Sequence, residues 1–249
     1  MYYEEYGQYH QEIIILLHGG GLGCWNYHTI AQLLAQWFHV IVPALDGHDG
    51  SDSNFFSIEE NAQTLIRFID ERFNGKVLVI GGLSLGGQVL IEMLSQRKDI
   101  CSYAMIESAL VIPMPFVAKL IHPMLVCYPL IKKRCFSYLQ FYTLHMNPKY
   151  FEAYYHSTCR ISKADMLSFL KANVLYEVKT SLSNYSGKVI VFVGGKERGM
   201  MKKSAMLLSK IIEDSMVECL KGYTHGDLSL NHPDEYVKRL FKLIDRNIK

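Results

Sequence analysis

The sequence predicts an α/β fold: a mostly parallel central sheet of about six strands with helices on both faces and an inserted helical cap. Three observations carry this. Short β-branched apolar runs recur along the chain, with amphipathic helical patterns between them and few connecting residues. The runs are continuous rather than alternating, as strands buried on both faces require. Several of them end in glycine-rich or polar loops, and in such sheets ligands gather at the carboxyl ends of the strands.

The first apolar run, residues 13–17, follows a short polar lead and ends in His18, Gly19, Gly20 and Gly21. Glycines there let backbone N–H groups face a cavity without an intervening side chain, which suits an oxyanion. A phosphate-binding loop would need another spacing and a following lysine. Residues 25–37 show helical spacing, with Ile30, Leu33, Leu34 and Trp37 on one face. Trp25 reads as core or pocket wall. Residues 39–43 form the next strand and lead into a loop containing Asp46, His48 and Asp49. These three could pass for metal ligands, but no second cluster of ligand spacing accompanies them, and turn formation accounts for the carboxylates. Ser57 and Glu60 form a capping box for a helix with Ala62, Leu65, Ile66 and Ile69 inward, ending near Asn74 and Gly75.

Residues 76–91 organise the rest. A β-branched run meets Gly82, Leu83, Ser84, Leu85 and Gly86, and an apolar helix follows. Strand, sharp turn and helix around a Gly-x-Ser-x-Gly pattern would lift the Ser84 hydroxyl clear of the sheet. A strand at residues 102–106 ends at Glu107 and Ser108.

From 110 to 184 the rhythm changes to a Tyr-, Phe-, Met-, Pro- and Lys-rich stretch that reads as helical. The expected organisation is therefore a core of residues 1–109 and 185–249 with a cap at 110–184. Residues 110–131 are apolar enough to raise a membrane span, but four prolines with Lys119 and His122 interrupt it. An apolar lid over the pocket fits better. The sheet resumes at residues 188–193, followed by Gly194, Gly195, Lys196 and Glu197. A last strand at 215–220 leads to His225 and Gly226, and a final helix is expected over 234–248.

Composition narrows the partners. At 249 residues the chain suits one large domain. Lys+Arg 26 against Asp+Glu 24 leaves nothing in the net charge that calls for nucleic acid or an anionic membrane. Six scattered cysteines without zinc spacing read as buried free thiols, and the acidic, polar N-terminus is unlike a signal peptide. The expected location is cytoplasmic. The expected partner is a small molecule with an apolar portion, without metal or cofactor and with no transmembrane segment; a homodimer is compatible.

A serine hydroxyl needs a base to take its proton and an acid to orient that base. The chain offers both: His225 lies just after the last strand, and Glu197 just after the strand before it. On these residues, His18 to Gly21, the 43–51 loop, Gly82 to Gly86, Gly194 to Glu197 and His225-Gly226, the chain resembles the capped, lipase- and esterase-like proteins of α/β-hydrolase fold. The match spans the chain except residues 110–184. The resemblance implies Ser84 as nucleophile, His225 as general base and Glu197 as orienting acid, with Glu107 as the alternative acid. It implies an oxyanion hole from the backbone N–H groups of Leu85 and Gly20, with Gly21 competing. The acid is Glu where Asp is usual, the 46–51 loop lacks the arginine often found there, and the first two strands of the full fold are not evident.

The expected activity is cleavage of a small ester or related acyl compound through an acyl-enzyme. An acyltransferase, a thioesterase or a C–C bond hydrolase would use the same residues, and a non-catalytic ligand-binding protein would need none of them aligned. Haloalkane dehalogenation would need Asp in place of Ser84.

Overall fold

The central apolar runs become strands because each can bury both faces. The computed structural model describes residues 1–246. Its strands are β1 (Tyr3–Tyr6), β2 (Ile13–Leu17), β3 (His39–Pro43), β4 (Val77–Leu83), β5 (Cys101–Glu107), β6 (Lys188–Gly194) and β7 (Ser215–Leu220). They form one sheet in the order β1-β3-β2-β4-β5-β6-β7. Every neighbouring pair is parallel except β1 with β3.

Helices follow in chain order: α1 (His28–Leu34), α2 (Ile58–Phe73), α3 (Leu85–Gln96), α4 (Pro115–Met124), α5 (Tyr128–Ile131), α6 (Arg134–Thr143), α7 (Phe151–Arg160), α8 (Lys163–Leu175), α9 (Gly199–Ile211), α10 (Asp227–Asn231) and α11 (Pro233–Leu243). The two-residue period of the strands sorts the core. Ile15, Leu17, Ile41, Ile80 and Ala104 pack with the buried faces of α2, α3 and α9. Their neighbours Ile14, Leu16, Val40, Val79 and Met105 pack with α1 and α11 on the other face. Burying both faces of four adjacent strands excludes the sheet from water and supplies most of the driving force for folding.

Local signals act as their chemistry dictates. The Ser57 hydroxyl accepts from the Glu60 N–H at 3.1 Å, and α2 stops where Asn74 turns left-handed at φ 54°. Four expectations need correction. The polar lead forms a seventh strand, β1, at the antiparallel edge, where Tyr3 packs on Phe68 and the Glu5 carboxylate meets His39 Nε2 at 2.6 Å. The helix expected at 25–37 is a 3-10 turn at Cys24–Tyr27 followed by the shorter α1, with Leu33 and Trp37 only partly buried. The last helix ends at Leu243, and residues 247 and 248 of the expected span lie outside the described ones. All six cysteines are free, but Cys127, Cys135 and Cys219 are exposed.

Helices α4 to α8 lie between β5 and β6 in sequence. Both ends of this helical segment are tied to α3. Gln88 Nε2 donates to the Leu110 carbonyl at 2.6 Å and to the Asn173 carbonyl at 2.8 Å, and Asn173 returns a bond to Gln88 Oε1 at 2.8 Å. The buried Glu92 takes Lys179 Nζ at 2.5 Å. From the other side, Asp49 accepts from Arg160 at 2.9 Å and Ser157 at 3.2 Å. Among the described residues no helix is long and apolar enough to cross a membrane.

Candidate active site

Ser84 follows β4 in a conformation that favours glycine, φ 51° and ψ −110°, and stands immediately before α3. The strain is held by the ladder: the Ser84 N–H donates to the Glu107 carbonyl at 2.8 Å, and its own carbonyl accepts from the Gln88 N–H at 2.9 Å. Close packing needs the flanking glycines. A Cβ on Gly82 would stand 2.5 Å from the Gly86 carbonyl oxygen, and one on Gly86 would stand 2.2 Å from that of Leu17.

His225 follows β7 in a turn where the Asp227 carboxylate accepts from the Thr224 N–H at 3.2 Å. Its Nδ1 lies 2.9 Å from Glu197 Oε2. The other oxygen of Glu197 accepts from the Gly194 N–H and from the Ser108 hydroxyl, both at 2.7 Å. Burial pushes the Glu197 carboxyl up, but His225, the Gly194 N–H and the Ser108 hydroxyl together hold it below its ordinary value. Such a carboxylate is a fixed acceptor that selects the His225 tautomer with hydrogen on Nδ1 and leaves Nε2 free to accept a proton.

Glu107 stands elsewhere. It is 3% exposed, and its carboxylate accepts from the Leu228 N–H at 3.0 Å and the Ser229 N–H at 3.2 Å, at the start of α10. Burial outweighs these bonds and pushes its carboxyl up to about 7. Above the ordinary 4.5 and up to about 7, the folded chain holds a proton that the unfolded chain has released. Stability should be full below the lower value and fall as pH rises through the upper one, by on the order of 3 kcal/mol. Urea denaturation at about pH 5 and about pH 8 checks this, and Glu107→Gln should flatten the difference. An unchanged slope in that variant would reassign the effect to another group.

Ser84, His225 and Gly20 line one cavity of about 160 Å³. Its opposite wall is Thr143, Leu144 and Met146, from the helical segment. Gly20 lies beside Leu85, where an added Cβ would come within 3.4 Å of the Leu85 side chain. Gly21 is left-handed at φ 79°, and a Cβ there would meet nothing within 4 Å. His18 is fully buried beneath this loop, with Nδ1 donating to the Gly19 carbonyl at 2.9 Å and Nε2 accepting from the Leu45 N–H at 3.1 Å. Burial and the neighbouring His48 hold it down to about 3, so it is a neutral brace. Burial likewise lowers His48 to about 4; its Nδ1 donates to the Asp46 carbonyl at 3.0 Å. No group of three or more metal-binding side chains occurs among the described residues.

Several contributors had no signal in the sequence. Ser108, Gln88 and the wall at Thr143, Leu144 and Met146 act through partners tens of residues away. Gln88 and Glu92 among the apolar residues of that helix were the one hint of a polar obligation.

The sequence profile described as the Alpha/beta hydrolase family matches residues 14–239. The chain belongs to the alpha/beta hydrolase family. Solved structures similar to this alpha/beta hydrolase include a thermophilic esterase from Thermogutta terrifontis, 17% identical with a TM-score of 0.80, covering 98% of this chain and 92% of that one. A bromoperoxidase from Bacillus anthracis is 16% identical with a TM-score of 0.80, covering 98% and 95%. At such identity the likeness is one of fold. A relative from Pseudomonas putida, 1H-3-hydroxy-4-oxoquinoline 2,4-dioxygenase, is 39% identical over 74 residues, which span 29% of this alpha/beta hydrolase and 28% of that protein.

Proposed function

We propose that this alpha/beta hydrolase is a cytoplasmic serine hydrolase that cleaves a small ester or related acyl compound with an apolar portion. The observation that carries the reading is the 2.9 Å contact of His225 Nδ1 with Glu197, beside a cavity that His225 shares with Ser84. In this reading His225 Nε2 takes the Ser84 proton as Oγ attacks the carbonyl carbon. Glu197 holds the ring and stabilises the imidazolium. The N–H groups of Leu85 and Gly20, or Gly21 in place of the latter, take the charge that develops on the carbonyl oxygen. Collapse breaks the bond to the leaving group, which receives the proton from Nε2. Water then enters, gives a proton to the same nitrogen and attacks the acyl carbon; the bond to Ser84 Oγ breaks, Oγ takes that proton back, and the acid is released. The helical segment acts as the cap, its apolar wall excluding water from the acyl group.

A fluorophosphonate probe tests the reading at low cost. It should label the folded chain at a single serine, and Ser84→Ala should abolish the label. A folded chain that stays unlabelled would sink the proposal and favour ligand binding without turnover. The relative named as a dioxygenase supports a second reading, in which the same residues act on a C–C bond. Turnover of acyl esters with release of free acid separates the two.

A further inference from the structure

The charge balance of the whole chain conceals a local imbalance. Between Glu107 and Glu152 there is no acidic residue, whereas Lys119, Lys132, Lys133, Arg134 and Lys149 fall in that interval, in a chain of net charge +2. The rest of the molecule is therefore net acidic, and the basic charge is concentrated on the helical segment. Arg134 is paired with Glu152, but Lys119, Lys132 and Lys133 are exposed to solvent.

The same helices carry apolar side chains into water. On α4, Phe116, Leu120 and Met124 follow one another at helical spacing on the outer side, with Phe116 76% exposed. Val126 is 72% exposed, and α6 adds Leu139 and Tyr142. Beneath them lies an apolar chamber of about 520 Å³, lined by α4, α6 and α8. Met124 and Leu139 both line this chamber and are largely exposed, so its mouth opens on the apolar face. Thr143 lines both the chamber and the cavity that holds Ser84.

We propose that this outer face docks onto an anionic lipid surface, with the chamber mouth turned toward the acyl layer. Exposed lysines on the same helical segment as exposed Phe, Leu, Met and Val are what an anionic interface selects, the lysines meeting headgroups and the apolar side chains entering the acyl boundary. A second copy of the chain is a poor occupant, because a two-fold contact would set this basic face against itself. An acidic polypeptide would satisfy the lysines but would leave the apolar face and the chamber unfilled. The docking does not depend on the hydrolase reading; the passage of an acyl chain past Thr143 to Ser84 does.

Co-sedimentation of the full chain carrying Ser84→Ala tests the docking without hydrolysis. Vesicles of equal parts phosphatidylglycerol and phosphatidylcholine should bind it, with affinity falling as salt rises, and vesicles of phosphatidylcholine alone should bind it far less. Each of Lys119→Gln, Lys132→Gln and Lys133→Gln should weaken binding about fivefold, and the three together about a hundredfold. Phe116→Ser with Val126→Ser should remove the salt-resistant part; circular dichroism establishes that each variant is folded. Absence of binding, or equal binding to both vesicle types, overturns the proposal. So does a dimer in light scattering that the three lysine substitutions strengthen, or salt-dependent binding to polyglutamate that matches binding to vesicles. If the vesicles bind and the fluorophosphonate probe does not label, docking stands and the serine-hydrolase reading fails.

Discussion

Replacing His225 by alanine is expected to lower ester turnover on the order of a millionfold, and replacing Ser84 by alanine to lower it by a similar factor. The physical reason is shared. At neutral pH the serine hydroxyl holds its proton, and the only assigned acceptor is His225 Nε2; removing either group removes the same proton transfer. The two substitutions should therefore not multiply: the double variant should be no slower than either single one, with the amides of the oxyanion loop leaving a small residual rate. Glu197→Gln should cost less, about ten-thousandfold, because the ring can still be held while the tautomer and the imidazolium lose support. Glu107→Gln should leave turnover within a few-fold, since its carboxylate faces the start of α10. Single-turnover kinetics on an activated acyl ester measure all of these. Additive losses in the double variant, or a larger loss from Glu107→Gln than from Glu197→Gln, would break the assignment.

Gly86→Ala should unfold the chain or cost more than about 4 kcal/mol, well beyond an ordinary surface substitution. In an open helix the exchange would gain roughly 0.5–1 kcal/mol by reducing backbone entropy. At residue 86 the new Cβ would stand 2.2 Å from the Leu17 carbonyl oxygen and 2.6 Å from that of His18. Both are backbone atoms at the end of β2, so no side chain can swing aside, and α3 would have to lift off the sheet. Gly199→Ala is the matched control, because nothing lies within 4 Å of its added Cβ. Denaturation by urea should show Gly199→Ala near wild type. A Gly86→Ala protein of wild-type stability would mean that β2 and α3 are further apart than described.

Legibility followed from how far each signal reaches. β2, β3, β4 and β6 could be read because burial on both faces imposes a continuous apolar run. β1 could not, since an antiparallel edge strand with half-buried Tyr and Glu has the composition of a loop. The glycines around Ser84 were visible because backbone contact permits nothing larger. The two candidate acids were harder to separate: Glu107 and Glu197 both follow strands, and their difference lies in side-chain direction, which spacing does not encode. Ser108, which donates to Glu197 across 89 positions, had no local pattern at all. The lysines of the 110–184 stretch are visible but read as an ordinary solvated surface, because a whole-chain balance cancels them against acidic residues placed elsewhere.

The amide of Gln88 has a consequence for how the molecule can be rebuilt. One nitrogen bonds the carbonyls of Leu110 and Asn173, so those two points of the backbone lie within roughly twice a hydrogen-bond length of each other. The 62 intervening positions therefore leave and re-enter the fold through a single doorway. A change of length between those points is expected to leave the strand register unshifted, because closing a loop depends only weakly on its length, provided the bonds of Asp165 to the Phe55 N–H and of Arg160 to Asp49 are kept. The wall facing Ser84 is thus set by this stretch, and the position of Ser84 itself by β4, β5 and α3.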